Sequence, residues 1–182
     1  MTVSPTAFQR LLGADFARLP APVRRVHGLD APLTLAGRAD VRVAPGWAAW
    51  LLCLISGLPR AGRDVPVEVR FVPDGGGERW SRTFDKRRYA SRIDAAGPHL
   101  RERFGPFDLF YDLAVTDGLH WTLVRWHLLG VALPRFTLPR IDCIEGADGE
   151  AFSFDIDVAF PLVGPVIRYR GKLTGAPPPA GR

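Results

Sequence analysis

An arginine lies between two aromatic residues in a segment where apolar and polar side chains alternate. Trp80, Arg82 and Phe84 have the same parity in residues 78–84, and residues of one parity in a β-strand lie on one face. The aromatics mark that face as internal, so we expect the Arg82 guanidinium to lie inside the protein. A guanidinium removed from water needs a carboxylate or an anionic ligand beside it.

A candidate partner for Arg82 comes from a later segment. Trp121, Arg125 and His127 share one parity of a long apolar segment, with Trp126 on the other face, and Glu145 falls on the apolar face of a further strand. We expect an inward pair of Arg82 with Glu145. The pair is either a buried salt bridge that fixes strand register or the polar base of an apolar pocket. In such a pocket, Arg82 would hold a ligand carboxylate or phosphate, and Glu145 would orient it or act as an acid or base.

Few other residues suggest chemistry. His127 is a candidate general base, although a lone strand histidine beside a tryptophan also reads as a packing residue. Tyr169 either reaches a cavity with its hydroxyl or caps a carbonyl. The sequence contains no glycine-rich phosphate loop before a helix, no Gly-x-Ser-x-Gly elbow, no His-x-x-x-His pair and no Cys-x-x-Cys. We therefore expect no metal or cofactor, while a cofactor-independent cyclase or isomerase stays open.

The elements that would position these residues are mainly β-strands. Apolar residues recur with period two from residue 65 onward, and the turn at 74–77 predicts a hairpin between flanking strands. Further strands are predicted at 24–28, 33–43, 89–95, 100–104, 107–115, 119–129, 140–145, 151–160 and 166–173. Short strands separated by turns, without alternating helices, predict an antiparallel, strongly curved sheet or partial β-barrel in a mainly β (α+β) domain.

Two helices complete the prediction. Phe8, Leu11 and Phe16 have helical spacing after a cap at Ser4 or Thr6. The apolar segment 47–58 is shorter than the roughly 20 residues of a membrane span, so we expect no transmembrane segment. We expect this second helix to close one side of the sheet, or alternatively to lie on a membrane surface with its tryptophans as anchors.

Composition limits the classes of function. The chain has 182 residues, a formal net charge of +5 and 47% hydrophobic residues, which fits one globular domain over residues 1–174 and a disordered tail over 175–182. The basic excess is almost all arginine and lacks aromatic interleaving, so nucleic-acid binding is not favoured. Two separated cysteines and the absence of a signal-peptide pattern at the N-terminus predict a cytoplasmic location.

The chain also resembles a bacterial family of unknown function, DUF4166, from residue 12 to about residue 173. The resemblance is carried by these segments: Trp80-Ser81-Arg82-Thr83-Phe84, Glu102-Arg103-Phe104-Gly105-Pro106, residues 128–135, residues 138–142 with Glu145, Phe154-Asp155-Ile156, residues 161–164 and Tyr169-Arg170-Gly171. It implies that Trp80, Arg82, Phe84, Arg135, Glu145 and Tyr169 are motif positions. Similar domains occur alone or joined to NAD-dependent oxidoreductase-like domains, which implies such an oxidoreductase as a partner.

Together these observations predict an apolar cavity inside the barrel. Its expected lining comes from several strands: Trp80, Arg82, Phe84, Trp121, Arg125, Phe154 and Tyr169. The hypothesis of function is binding of a hydrophobic, lipid- or polyketide-like molecule with an anionic group held by Arg82. Two alternatives remain: a cofactor-independent enzyme that uses Glu145 or His127, and an interaction module for an oxidoreductase.

Overall fold

The protein folds as a closed antiparallel β-barrel in a computed structural model that describes residues 5–55 and 58–175. The α-helices are α1 (Ala7–Leu12), α2 (Ala21–His27) and α3 (Trp47–Ile55), and there are 3₁₀ helices at Gly13–Arg18 and Arg135–Thr137. The strands are β1 (Leu33–Val43), β2 (Gly62–Asp74), β3 (Gly77–Phe84), β4 (Arg87–Ala96), β5 (His99–Phe104), β6 (Phe107–Val115), β7 (Leu119–Leu128), β8 (Val131–Ala132), β9 (Arg140–Asp148), β10 (Ala151–Phe160) and β11 (Gly164–Gly175).

Closure of the barrel follows from the pairing order. Strands β1 to β6 form a meander, β1 pairs with β11, and β11, β10, β9 and β7 continue around until β7 pairs with β6. Ten strands therefore form a ring, and the two-residue strand β8 pairs only with the end of β7. This confirms the predicted antiparallel, strongly curved sheet, and the ring is complete rather than partial.

Two glycines allow β1 and β11 to pack closely. A Cβ atom on Gly37 would lie 1.8 Å from the Lys172 carbonyl oxygen, and one on Gly171 would lie 2.4 Å from the Arg38 carbonyl oxygen. No larger side chain fits at either position without moving the neighbouring strand. The tight approach helps the wall to coil on itself.

One end of the barrel is covered by the N-terminal helices. Thr6 caps α1 by accepting a hydrogen bond from the Gln9 amide, as one of the two predicted caps. Phe8 of α1 and Val23 and Val26 of α2 are completely buried. We call this end, which also carries the β2–β3, β4–β5, β6–β7 and β9–β10 turns, the closed end.

The opposite end is the mouth. It is formed by the connections at residues 44–55 and 58–61, 85–86, 105–106, 129–139 and 161–163. Helix α3 packs on it through Ala49 and Cys53, which are buried, whereas Trp47 and Trp50 are exposed. The helix therefore closes one side as predicted, with its tryptophans turned outward. In the described residues, no helix is both long and apolar enough to cross a bilayer.

Local structure differs from the sequence-based prediction at one segment, and two predicted elements reach residues outside the described ones. The segment 24–28 is not a strand, because Pro20 starts a helical turn there and α2 runs to His27. The second helix is described from Trp47 to Ile55, residues 56–57 lie outside the described residues, and residue 58 is not helical. The predicted tail also lies outside them from residue 176 onward, while Gly175 still belongs to β11.

Candidate ligand-binding cavity inside the barrel

The barrel encloses a cavity of about 290 Å³ whose wall is mainly aromatic and aliphatic. Inward-facing residues of alternate positions supply this wall, as strand geometry requires. Six of the seven side chains predicted for the lining contribute to it: Trp80, Arg82, Phe84, Trp121, Phe154 and Tyr169. The cavity extends from Trp121 near the closed end to Leu52 of α3 at the mouth.

Arg82 is the centre of a polar cluster in the cavity wall. It donates hydrogen bonds to the Ser91 hydroxyl at 2.8 Å and to the Glu102 carboxylate at 3.2 Å. Its guanidinium carbon lies 4.8 Å from the Trp80 ring centre and 5.5 Å from that of Tyr89. Burial lowers the pKa of Arg82 and Glu102 raises it, with a net rise, so the guanidinium stays charged. The ion pair leaves the cluster with no net charge.

Three tyrosines and a cysteine surround this ion pair. Burial raises the pKa of Tyr89, and raises those of Tyr111, Tyr169 and Cys143 well above their usual values. All four groups are therefore neutral hydrogen-bonding groups near pH 7. The Tyr111 hydroxyl donates to Glu102 at 3.5 Å, a weak bond at that length.

Tyr89 differs from the other tyrosines of the wall. Its hydroxyl is buried and forms no hydrogen bond of normal geometry with any described residue, although it lies near Tyr169. A buried hydroxyl without a partner costs about 1–3 kcal/mol. The ring stacks on Phe84 with a centroid distance of 6.0 Å, which holds it at the cavity wall.

A second polar cluster lies at the closed end. The Nε2 atom of His27 lies 2.6 Å from the Glu145 carboxylate, and the Trp121 indole donates to the same oxygen at 3.2 Å. His27 is fully buried against Phe8, with ring centroids 3.8 Å apart. The cluster joins helix α2 to strand β9 and covers the cavity at the closed end.

Glu78 extends this cluster with an unusual carboxyl group. It is 1% exposed and accepts a hydrogen bond from the Trp80 indole at 2.8 Å. Burial raises the pKa of this carboxyl to about 7, with nearby His27 opposing the rise. This rise favours the protonated, neutral form of the buried carboxyl, whereas an exposed glutamate is ionised near neutral pH.

The predicted pair of Arg82 with Glu145 is wrong. Glu145 is buried and inward-facing as expected, but His27 and Trp121 bind it at the closed end. Arg82 instead pairs with Glu102, two strands away in the wall. Parity could have identified Glu102, because it lies between Leu100 and Phe104 on the inner face of β5. His27 had no such signal, since its segment was predicted as a strand.

The prediction for the end of β7 is also wrong, because of a β-bulge. Phe110 pairs with Arg125 and Tyr111 with Leu123, so Val124 has no partner in β6. An extra residue reverses the parity of everything after it. Arg125 consequently lies on the outer face, with its guanidinium carbon 4.1 Å from the Phe110 ring centre.

The same bulge moves the other side chains at the end of this strand. His127 lies on the outer face of the barrel, where its ring packs against Phe110 with centroids 4.8 Å apart, and it does not line the cavity. It is therefore not placed to transfer protons to a molecule inside the barrel. Trp126, predicted to face away from the interior, lines the cavity near the mouth.

A protein-family model matches most of this chain. The model of DUF4166, a domain of unknown function, matches residues 19–173. The chain belongs to the DUF4166 family. The match begins just before α2 and ends in β11, so it contains His27 and the barrel except for the last two residues of β11. No curated protein and no solved structure matches this DUF4166 chain.

The described part of this DUF4166 domain contains no group of candidate metal ligands. Within residues 5–55 and 58–175, no three His, Cys, Asp or Glu side chains are placed to hold an ion. Cys53 and Cys143 are both free thiols. The polar groups in the apolar cavity wall are the Arg82–Glu102 ion pair, Glu145 and the tyrosine hydroxyls.

Proposed function

We propose that the domain binds a hydrophobic small molecule inside the barrel. The observation that carries the proposal is the cavity of about 290 Å³, close to the lower limit of about 300 Å³ typical of ligand pockets. A mainly aromatic and aliphatic wall offers few hydrogen-bond partners to water inside the cavity, and it therefore favours an apolar occupant.

The polar end of the ligand is neutral in this proposal. The sequence suggested an anionic group on Arg82, but Glu102 already compensates the arginine charge. Adding an anion to a neutral ion pair in an apolar cavity would leave one negative charge uncompensated. A hydroxyl or carbonyl group fits better, because the Tyr89 hydroxyl has no partner among the described residues and can donate to it.

Binding of a fluorescent apolar probe tests this proposal. N-phenyl-1-naphthylamine should bind the purified protein with enhanced emission in the absence of lipid. Cys143→Phe places a large side chain in the cavity and should weaken binding at least about tenfold, since it removes space for the probe. The control is Thr122→Phe, because Thr122 is exposed and sits one position along the same β7–β9 ladder.

Two results would contradict the proposal. One is a wild-type protein that gives no saturable enhancement. The other is a Cys143→Phe variant that keeps its circular dichroism spectrum and binds the probe as well as Thr122→Phe does. Native mass spectrometry of the purified protein adds an independent readout, because a retained lipid-like ligand appears as a mass increment.

A cofactor-independent enzyme is the alternative function. His127 faces outward, whereas Glu145 at the closed end and Glu102 in the wall both line the cavity, the first bound by His27 and the second by Arg82. Glu102, which also lies beside the Tyr111 hydroxyl, is the acid to test first. Glu102→Gln should abolish turnover but change the affinity for an apolar ligand only a few fold. A binding protein would show the second effect alone.

Location and partners remain part of the proposal. Two unpaired cysteines are consistent with a reducing compartment such as the cytoplasm. An NAD-dependent oxidoreductase remains a candidate partner, on the family resemblance alone. Co-purification of a tagged protein with such an enzyme from the native host would test it.

A further inference from the structure

The exposed apolar side chains of this protein are concentrated at the mouth. Among large apolar side chains whose exposure the structure describes, all the exposed ones except Ile144 lie on the mouth connections or at the adjoining end of β7. They are Trp47, Trp50, Leu51, Leu54, Leu128, Leu129, Val131, Phe136, Leu162 and Val163. Scattered exposed leucines are normal on a protein surface, but a cluster at one end marks an interaction site.

Two of these residues are leucines at positions that do not favour leucine. Leu129 and Leu162 have φ angles of 51° and 67°, in the left-handed region that favours glycine and asparagine. Leu129 is 79% exposed and Leu162 is fully exposed. Neither the backbone conformation nor burial within the monomer favours leucine at these positions. We therefore expect these two apolar side chains to contact another molecule.

Basic side chains accompany the apolar ones at the same end. Arg60, Lys86, Arg88 and Arg135 are exposed on or beside the mouth connections, and none forms an ion pair with a described residue. The acidic residue among these connections is Asp85. At the closed end, the turns carry Asp30, Asp74, Asp117, Asp148 and Glu150. The helices of the closed end also carry Arg10, Arg18, Arg24 and Arg25, so positive charge is not confined to the mouth. What distinguishes the mouth is that exposed basic and exposed apolar side chains lie together there.

The form of the mouth distinguishes a lipid surface from another protein. The apolar residues sit on separate connections that project in one direction, and two of them are tryptophans, which prefer the boundary between headgroups and hydrocarbon. Basic residues beside such a set match the negative surface of an anionic bilayer. A second copy of the chain would instead bring the same positive charges together and repel.

We propose that the mouth of the barrel binds the surface of an anionic lipid bilayer. The aromatic and aliphatic tips insert at the headgroup boundary, and the basic residues contact lipid phosphates. Binding at the bilayer does not require the cavity to be loaded. If the proposed function also holds, a hydrophobic molecule reaches the cavity from the bilayer without crossing water.

Vesicle binding tests this inference directly. The wild-type protein should sediment with phosphatidylcholine vesicles that contain phosphatidylglycerol, and much less with phosphatidylcholine alone. Binding should weaken with added salt, since the attraction acts over about 10 Å at 0.1 M salt. Brominated lipids should quench the emission of Trp47 and Trp50, and the quenching should disappear in Trp47→Phe/Trp50→Phe.

Matched variants separate the mouth from the rest of the surface. Leu162→Asp should lower the partition coefficient at least about tenfold, the effect of withdrawing one leucine from an apolar environment. It should not disturb folding, because aspartate tolerates the left-handed backbone better than leucine. Ile144→Asp, at the exposed residue on the barrel wall, should bind vesicles like the wild type. Lys86→Glu/Arg88→Glu should reduce binding to anionic vesicles only.

Three outcomes would overturn the inference. They are equal binding to both kinds of vesicle, equal partitioning of Leu162→Asp and Ile144→Asp, and a wild-type dimer that Leu162→Asp dissociates without any vesicle binding. The probe-binding assay is performed without lipid, so a failure here leaves the proposed cavity ligand untouched. Conversely, a protein that binds vesicles but takes up no probe would support the bilayer-binding mouth and contradict the proposed cavity ligand.

Discussion

The buried imidazole of His27 lies 2.6 Å from the carboxylate of Glu145, which is 118 residues further along the chain. Its ring connects the helix α2 to the strand β9 where the barrel is closed. Both side chains are almost completely buried, so their mutual contact must replace the hydration that each loses on folding. The contact therefore ties the N-terminal region to the barrel.

Removing this histidine should destabilise the protein strongly. His27→Phe leaves the Glu145 carboxylate buried with only the Trp121 indole as a donor, and breaking a buried pair costs about 3–5 kcal/mol. Urea unfolding followed by circular dichroism should show that loss. His120→Phe is the control, because His120 contacts the highly exposed Asp117 and its loss should cost less than about 1 kcal/mol. Similar midpoints for both variants would show that the His27 contact contributes little.

Glu78 predicts a dependence of stability on pH. Its pKa of about 7 in the fold lies above the ordinary value of 4.5, so the folded state holds a proton that the unfolded state releases between these pH values. The free energy of unfolding should therefore fall as pH rises through this window, by up to about 3 kcal/mol.

Replacing this carboxyl should remove that dependence. Glu78→Gln keeps an acceptor for the Trp80 indole but cannot ionise, so it should be more stable than the wild type at pH 8 and lose the advantage near pH 5. Denaturant unfolding at several pH values measures the difference. Glu68→Gln, at an exposed position of β2, should give a difference that does not change with pH. A constant Glu78→Gln difference would argue against a neutral buried carboxyl.

Two tyrosine hydroxyls of the cavity should respond in opposite directions. Tyr89→Phe removes a buried hydroxyl without a partner and should raise the free energy of unfolding by about 1 kcal/mol. Tyr111→Phe removes a weak donor to Glu102 and should lower it by up to about 1 kcal/mol. Thermal and urea unfolding measure both changes.

The same substitution should also separate polar from apolar ligands. If Tyr89 donates to the ligand, displacement of N-phenyl-1-naphthylamine by a medium-chain alcohol should need about fivefold more alcohol in Tyr89→Phe. The affinity for the probe itself should stay within about twofold. Equal displacement in both proteins would place the polar group of the ligand elsewhere in the cavity.

The Arg82–Glu102 pair should show strong coupling in a double-mutant cycle. Arg82→Met and Glu102→Leu each leave one charge without its partner inside the cavity wall, whereas the double variant leaves neither. We expect a coupling free energy of about 1–3 kcal/mol from unfolding measurements. The more exposed pair of Arg168 with Asp155 is the reference and should couple by less than about 1 kcal/mol. Coupling no larger than this reference would mean that water enters the cavity freely.

The sequence predicted the fold class and most of the cavity wall because both depend on local alternation. The inward placement of Trp80, Arg82 and Phe84 follows from parity within a single strand, and the hairpin that contains it has a clear turn signal. Barrel closure is different, because it depends on the pairing of β6 with β7 after the other strands have taken their places. No local pattern distinguishes a closed ring from a curved sheet.

The side-chain pairs, the bulge and the helix at His27 were not predicted, because each depends on contacts between distant segments rather than on a local pattern. Which carboxylate reaches Arg82 depends on strand order and tilt, so Glu102 and Glu145 had equal local support. The bulge at Val124 leaves no trace in an apolar segment where both parities carry hydrophobic residues. His27 lies in a short helix that starts after Pro20 and depends on burial against the barrel rather than on a strong repeat.

The short strand β8 has a consequence for how the protein resists aggregation. Strands β7 and β9 pair only from Leu119 to Thr122 on the β7 side, so the last residues of β7 would present a free edge. β8 covers part of that edge by pairing with His127 and Leu128. Pro134 follows shortly after and lacks the amide proton that a longer ladder would need. Another chain therefore finds little backbone in the described wall on which to add a strand, and amyloid-like growth from the native state is disfavoured.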